Sequence, residues 1–173
     1  YVHNHFGERI RKSGFVYTPS GGSGPIGPQS YVGSTDTVFY YDLGGQLIAE
    51  HDASTGQVKR EYIWMGDIPV GGVAGTQPNQ PISATNAAKL YYVFPDHLNT
   101  PRMVTDTAGN RRWQSDIMAA EPFGATAPNE TPAGQAADQA FVMNLRFPGQ
   151  YFDKETATAY NYFRSYNPET GRY

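Results

Sequence analysis

The stretch TVFYYDLGGQLIAEH, residues 37–51, decides the fold class of this chain. A β-prone run, TVFYY, precedes a short polar turn, and an alternating run, QLIAEH, follows it. The Asp42 side chain can cap the turn by accepting from backbone N–H groups two residues on, and Gly45 can take the positive φ that closes a hairpin. The stretch therefore predicts one antiparallel β-hairpin.

The same layout recurs along the chain. Five turns share an Asx residue, two or three intervening residues and then Gly, and their Asx residues are Asn4, Asp42, Asp52, Asp106 and Asn167. A single hairpin is too small to be stable alone, so these units must pair into a continuous sheet. Long stripes with a 3.6-residue period are absent. The sequence predicts an all-β fold of irregularly repeated antiparallel hairpins.

Three Gly- and Pro-rich segments interrupt the repeat and predict long loops. They are residues 18–33, which contain SGGSGPIGP, residues 71–88 and residues 124–137. The SGGSG string lacks the Lys and the following helix of a phosphate-binding loop, so we interpret it as a linker. Residues 134–144 are rich in Ala and could form a short helix.

Composition excludes several classes of protein. The net charge is -3 and no basic stripe exists, which argues against nucleic-acid binding. The absence of cysteine excludes a disulfide-stapled scaffold and a thiolate metal site. No apolar run approaches the roughly 20 residues of a membrane span, and the first residues do not resemble a signal peptide. The chain begins in mid-pattern, so we expect it to be cut from a longer polypeptide.

The string FPDHLNTPR is the strongest candidate for chemistry, because Asp96, His97 and Arg102 could form an acid–base pair with an anion clamp. In the alternative interpretation Asp96 caps a turn, His97 packs or bonds within it, and Arg102 pairs with a carboxylate. Pro95 and Pro101 favour this second interpretation, because they fix a chain reversal. It predicts that His97→Ala lowers thermal stability.

Other candidate sites are weaker. His3 and His5 would share one face of a strand and could ligate a metal, but two further ligands are needed. Asp153 and Glu155 could serve glycoside chemistry only at a defined separation. The chain has no nucleophile elbow and no dinucleotide-binding motif. We predict no catalytic residue, no metal ligand and no cofactor-binding residue.

The ordered motifs resemble those of the Rhs/YD-repeat proteins over nearly the whole chain. Tyr41-Asp42-x-x-Gly45 resembles their tyrosine–aspartate repeat, whereas DHLNTPR, EPFG and the closing block from LRFPGQYFD to NPETGRY resemble the Rhs-associated core. The resemblance implies structural roles for Tyr41, Asp42, Gly45, Asp96, His97, Leu98, Thr100, Pro101, Arg102, Pro122, Phe123, Gly124, Arg146, Gly149, Gln150, Tyr151, Asp153, Tyr160, Arg164, Tyr166, Gly171 and Arg172.

The sequence departs from the family pattern in three places. Asn99 replaces a Gly of the signature, and Asn tolerates the left-handed conformation. Ala157 stands where the family tends to have Gly, which is unfavourable if φ is positive there. The D-P-x-G segments that carry self-cleavage in the family are absent. One arginine of the closing block could support such cleavage, or all of them could lie along Tyr-rich faces.

The resemblance implies a strip of a larger β-shell that spirals like a cocoon. Residues 1–88 would be YD-repeat hairpins and residues 89–173 the Rhs-associated core. The expected function is structural: the shell would house and present a C-terminal toxic domain for secretion in interbacterial competition, as in type VI effectors and other polymorphic toxins. The alternatives are a carbohydrate- or cell-surface-binding module and part of a self-cleaving aspartyl protease core.

The resemblance also implies partners and a location. The partners would be the rest of the shell, its toxin cargo, and secretion spike or chaperone proteins, with no nucleic acid. We expect a protein made in the bacterial cytoplasm and then secreted or delivered. Because a severed strip of hairpins leaves open edges, we expect the piece to be stable only in a larger shell or as a self-associated oligomer.

Overall fold

The computed structural model describes residues 1–13, 15–17, 31–34, 36–115 and 122–173, with the backbone alone for residues 15–17 and 31–34. This part of the chain is built almost entirely of β-strands. They are β1 (Val2–His3), β2 (Arg9–Lys12), β3 (Phe15–Tyr17), β4 (Tyr31–Ser34), β5 (Thr37–Tyr41), β6 (Leu47–Asp52), β7 (Val58–Met65), β8 (Ile68–Gly75), β9 (Ala88–Pro95), β10 (Pro101–Asp106), β11 (Arg111–Gln114), β12 (Tyr151–Asp153), β13 (Thr158–Asn161) and β14 (Arg164–Tyr166).

The strands form three antiparallel sheets. The largest has nine strands in the order β1-β2-β5-β6-β7-β8-β9-β10-β11. The C-terminal sheet has the order β12-β13-β14. Strands β3 and β4, which lie between β2 and β5 in the sequence, pair with each other as a separate two-stranded sheet. Short turns can connect only antiparallel neighbours, so the chain order and the order in the sheet coincide. The predicted all-β fold of antiparallel hairpins is confirmed.

The five predicted turns are all capped by their Asx side chain; three accept from the N–H groups two and four residues on, and the Asp52 and Asn167 turns accept from those two and three residues on. Oδ1 of Asp42 accepts from the N–H of Gly44 at 2.8 Å and of Gln46 at 2.9 Å, and the turns at Asn4 and Asp106 repeat this arrangement. The glycine that follows has a φ of 82° at Gly45, a conformation that favours residues without a Cβ. The prediction of Asx-capped hairpins is therefore confirmed.

Two predicted loop boundaries are wrong. Residues 71–75 belong to β8, and residues 31–33 belong to β4; residues 18–30 lie outside the described part of the chain. A Cβ on Gly72 would lie 2.5 Å from the carbonyl oxygen of Glu61, and one on Gly71 would lie 2.9 Å from that of Tyr91. These glycines therefore allow close approach of neighbouring strands, which sequence composition cannot distinguish from loop glycines.

The helix predicted within residues 134–144 is reduced to one 3-10 turn, Ala137–Gln139. The chain beyond it is extended, and its buried side chains alternate: Phe141 and Met143 are each 2% exposed and Leu145 is 8% exposed. A period of two places all three on one face, so packing against the large sheet overrides the local helix propensity. No helix among the described residues is long and apolar enough to cross a bilayer.

One face of the large sheet carries the core. The buried side chains of this face and those of the C-terminal segment that covers it form a single cluster. The sheet contributes Phe39, Tyr62, Tyr91, Val93, Val104 and Trp113, and the covering segment contributes Phe141, Met143, Leu145 and Tyr151. Residues that alternate with the buried ones point the other way and stay exposed, as Tyr40, Ile63, Leu90, Tyr92 and Phe94 do. Residues 141–160 therefore cover one sheet face and leave the opposite face open.

Candidate functional site

The FPDHLNTPR segment forms a capped turn between β9 and β10. Oδ1 of Asp96 accepts from the N–H of Leu98 at 2.8 Å and of Thr100 at 3.1 Å, and its Oδ2 accepts from Arg102 Nε at 2.8 Å. Asn99 occupies the glycine position with a φ of 61°. The turn thus has the hydrogen-bond pattern of the Asp42 and Asp106 turns, with an arginine added to its carboxylate.

The three side chains proposed for acid–base chemistry do not form one group, because Asp96 and Arg102 pair without His97. Burial raises the pKa of Asp96, but the hydrogen bonds from Arg102 and from the N–H groups of Thr100 and Leu98 outweigh it and hold the pKa below its ordinary value. His97 is exposed and makes no hydrogen bond or ion pair with any described residue. The expectation that His97 packs or bonds within the turn is therefore wrong, because the second turn position points to solvent.

The EPFG turn and the closing block meet in space. The Tyr166 hydroxyl donates to the carbonyl oxygen of Phe123 at 3.0 Å, and the Phe123 ring lies 3.2 Å from the position that a Cβ on Gly171 would take. Pro122 and Gly124 flank this contact, whereas Glu121 lies outside the described residues. The two motifs, with Phe123 and Tyr166 separated by 43 positions in sequence, thus form one corner of the molecule.

The arginines of the closing block lie along aromatic rings. Arg146 donates to the carbonyl oxygens of Met143 and Leu145, and its guanidinium lies 4.8 Å from the ring centroid of Phe152. Burial lowers the pKa of Arg146 to about 10. Arg164 lies 5.9 Å from the ring centroid of Tyr173. Arg172 is exposed and closes the last turn through its backbone.

A buried charge cluster links the start of the chain to its end. Arg9 Nη1 contacts Asp153 Oδ2 at 2.5 Å, and the two side chains are 1% and 4% exposed. Lys12 Nζ lies 3.2 Å from both Asp153 Oδ1 and Glu155 Oε2. Such a buried pair stabilises a fold only when its geometry is good and its other hydrogen-bonding groups are occupied. The cluster joins β2 of the large sheet to β12 of the small one.

Aromatic rings surround the Arg9 guanidinium. Its Cζ lies 4.3 Å from the ring centroid of Tyr160, 4.9 Å from Phe39, 5.0 Å from Tyr151 and 5.1 Å from Tyr1. These rings attract a cation most strongly where water is excluded. Sequence reasoning missed the cluster. The sequence pattern that could have indicated it is the alternation of β2, because this places Arg9 on the face of the strand that the structure buries.

A second polar network lies deeper under the covering segment. Glu50 accepts from the hydroxyls of Tyr62 at 2.5 Å and Tyr151 at 3.0 Å, and burial raises the pKa of both tyrosines. Arg60 donates to the carbonyl oxygens of Val142 and Pro78. These groups bond to one another within the fold, so the arrangement ties the sheet to the covering chain and leaves no activated nucleophile among them.

The predicted geometry of His3 and His5 is wrong. Strand β1 ends at His3, and His5 lies in the following turn, where its ring is tilted by 41° against that of Phe6 with centroids 3.7 Å apart. The two imidazoles therefore do not share a strand face. Among the residues that the structure describes, no three His, Asp or Glu side chains cluster closely enough to hold a metal ion.

An apolar cleft of about 340 Å³ opens beside the buried charge cluster. Aromatic side chains line its interior, among them Tyr41, Trp64 and Tyr160, and the turn of residues 147–149 forms one wall. Glu8 and Asp67 are the acidic residues of its lining. The volume is at the lower end of the range for small-molecule or peptide-side-chain pockets.

Comparison with known proteins places the chain beside bacterial toxins. It is 36% identical over 96 residues to the toxin protein Tse5 of Pseudomonas aeruginosa, which covers 56% of this chain and 6% of Tse5. It is 30% identical over 180 residues to double-stranded DNA deaminase toxin A of Burkholderia cenocepacia, which covers 84% of this chain and 12% of that toxin. No protein-family model matches the chain.

A third relative is the uncharacterized protein YibJ of Escherichia coli K12, which is 29% identical over 89 residues, 51% of this chain and 34% of YibJ. The chain thus spans a small part of the length of each of these curated relatives. The similarity establishes a relation to toxin proteins and supports a secreted or delivered product.

Proposed function

We propose that the chain is a structural part of an Rhs-type shell that encloses a toxic domain. The observation that carries this proposal is the combination of repeated Asx-capped hairpins in one nine-stranded sheet with similarity to segments of two far longer toxins. A sheet built of such repeats can be extended by further hairpins at both of its ends. The proposal includes the presence of a toxin domain and its delivery by a secretion apparatus such as that of type VI secretion.

The arrangement of buried groups supports a structural role over a catalytic one. The charged side chains of the described core are used to join strands: Arg9 and Lys12 to Asp153, and Glu50 to Tyr62 and Tyr151. A shell needs such ties, because its wall must stay closed without a large compact core. In this proposal residues 89–173 form the closing part of the wall, and residues 1–88 form its preceding hairpins.

The test uses the full-length polypeptide that contains this chain. We expect limited proteolysis to leave the toxin domain intact in the native protein. Asp153→Ala should open the wall, and the toxin domain should then be digested at protease concentrations that the native protein withstands. Lys154→Ala, an exposed neighbour, serves as the control. Equal digestion of the toxin domain in the native protein and the Asp153 variant would contradict the proposal.

A second candidate, carbohydrate binding, rests on the open sheet face. Tyr40, Tyr92 and Phe94 expose 46%, 45% and 46% of their surface there, and aromatic rings can stack on sugars. A glycan array probed with this chain and with its Tyr92→Ala variant tests the idea. Binding that is lost in the variant would support it, and an array without signal would dismiss it.

A further inference from the structure

The two ends of the large sheet differ in their hairpin tips. In an antiparallel meander alternate turns lie at the same end, so the tips of β1–β2, β5–β6, β7–β8 and β9–β10 form one row, which we call the apolar rim. Each tip, or the strand residue next to it, exposes one large apolar side chain: Phe6 is 67% exposed, Leu43 110%, Met65, the last residue of β7, 63%, and Leu98 54%. The three described turns at the opposite end, residues 53–57, 76–87 and 107–110, expose none.

The apolar cleft opens at this same rim. Each tip contributes a residue to its lining: Glu8, Gln46, Asp67 and Asn99 come from the four tips in order. The side chains of Tyr41, Trp64 and Tyr160 lie behind them. A cleft that continues into a row of exposed apolar side chains has the character of an interaction site.

The charges at the cleft are acidic. Glu8 and Asp67 line it, and neither has an ion-pair partner in the described part of the chain. The one cation in the described lining, Arg146, has its guanidinium bonded to the carbonyl oxygens of Met143 and Leu145. A second copy of this rim would bring carboxylates against carboxylates. The complementary partner is therefore basic.

We propose that the apolar rim and its cleft bind an extended polypeptide segment in which a Lys or Arg is flanked by apolar residues. The apolar side chains would pack between the tips, and the basic side chain would enter the cleft over the aromatic rings and pair with Glu8 and Asp67. Neighbouring tips are two strands, about 10 Å, apart along the sheet, and the row curves around the cleft that all four tips line. A segment of about nine residues, about 30 Å long when extended, is long enough to contact the cleft and the neighbouring tips.

The proposal is independent of the shell function, because binding is measured on this chain alone. The probe is the nonapeptide acetyl-Leu-Ser-Leu-Ser-Arg-Ser-Leu-Ser-Leu-amide, whose Leu and Arg side chains share one face when extended. Matched peptides carry Glu or norleucine in place of Arg. The readout is the indole N–H resonance of Trp64, which lines the cleft and donates to the carbonyl oxygen of Leu47 at 2.9 Å. Trp113, 1% exposed, is the internal reference.

We expect the Arg peptide to shift the Trp64 resonance in a saturable manner and to leave Trp113 unchanged. The norleucine peptide should bind about tenfold more weakly, and the Glu peptide should not bind at all. Asp67→Asn keeps the hydrogen bond from Gln46 and should weaken binding of the Arg peptide about fivefold. Leu43→Ser should weaken binding by a similar factor, because it removes an apolar contact. The controls are Glu61→Gln, on the exposed face of β7, and Thr107→Ser, at the opposite end.

Three results would overturn the proposal: no shift of Trp64 with any peptide at millimolar concentration, equal binding of the Arg and Glu peptides, or equal weakening by the rim and control variants. A Trp64 shift that depends on protein concentration without peptide would assign the rim to a second copy of the chain and would also overturn it.

Discussion

At the scale of single residues, three residues other than glycine have a positive φ in the described part of the chain: Asn99 at 61°, Ala157 at 55° and Tyr162 at 55°. Asn tolerates this region because its short polar side chain can bond locally, whereas Ala gains nothing there. A residue other than glycine at this conformation therefore destabilises the fold only slightly at Asn99 and more at Ala157.

We predict that Ala157→Gly raises the free energy of unfolding by about 0.5–1 kcal/mol, because it removes the unfavourable Cβ at positive φ. The greater flexibility of the unfolded chain with glycine offsets only part of this gain. The melting temperature should rise by about 2 °C. Asn99→Gly, the matched control, should change it by less. Calorimetry of both variants measures this, and a fall in melting temperature for Ala157→Gly would contradict the prediction.

The Asp96 turn gives a second prediction. His97→Ala should change the free energy of unfolding by less than about 0.5 kcal/mol, because the side chain is exposed and unbonded. Asp96→Ala should cost about 1–3 kcal/mol, because it removes two backbone caps and the partner of Arg102. Urea unfolding distinguishes the two. Equal losses would show that His97 holds the corner after all.

The lowered pKa of Asp96 makes the same turn sensitive to acid. A carboxyl group whose pKa is lower in the folded state stabilises the fold above its unfolded pKa of about 3.9, and that contribution is lost as pH falls through the folded pKa. We expect native stability to fall below about pH 4. Asp96→Asn should lose less stability over this interval than the native protein, as urea unfolding at several pH values would measure.

At the scale of elements, the repeat unit is a hairpin with an Asx-capped tip, and most of its partners are its nearest neighbours in sequence. Strand β2 is an exception, because Arg9 and Lys12 reach across to Asp153 on β12. The Tyr160 hydroxyl adds a further tie, since it accepts from the N–H of Arg9 at 2.9 Å. The end of the chain is thus fastened to its beginning.

We predict that Asp153→Ala lowers the free energy of unfolding by about 3–5 kcal/mol, because Arg9 and Lys12 would remain buried without their carboxylate. Lys154→Ala breaks an exposed pair with Glu130 and should cost no more than about 1 kcal/mol. Chemical denaturation of both variants compares them. A small loss for Asp153→Ala would mean that water reaches Arg9 and that the cluster is not a structural tie.

At the scale of the whole molecule, one sheet face is covered by the chain itself and the other is open. The covered face holds the core of Tyr62, Val104 and Trp113, which gives the chain more internal packing than a bare strip of hairpins would have. The outermost strands of the large sheet are short, with two residues in β1 and four in β11. Short edge strands limit but do not remove edge-to-edge pairing.

We therefore predict that the isolated chain self-associates through its sheet edges. Sedimentation velocity should show species larger than a monomer that increase with concentration. Tyr92→Lys on the open face should leave the distribution unchanged, because the edges, not the face, carry the association. A single monomeric species with a cooperative melt would contradict the prediction, and loss of association in Tyr92→Lys would assign it to the open face.

Local sequence was enough to predict the Asx-capped hairpins. Turn chemistry is local: an Asx carboxylate or amide and a glycine three or four residues later contain all the groups that the turn needs, so the Asp42 and Asp106 turns were predictable. Alternation likewise predicted the strand of residues 46–51, which the structure shows as β6. The glycines of β8 were not predictable, because only the carbonyl groups of β7 and β9 show that they serve close approach.

The buried face of each strand and the contacts between distant residues depend on how the whole chain packs. Arg9 and Asp153 are 144 positions apart, and no local pattern links them. The extended course of residues 141–145 depends on an apolar sheet face that the segment itself cannot specify. Local bonds determine turns, whereas burial is a property of what other parts of the chain cover, and that is known only when the sheet has formed.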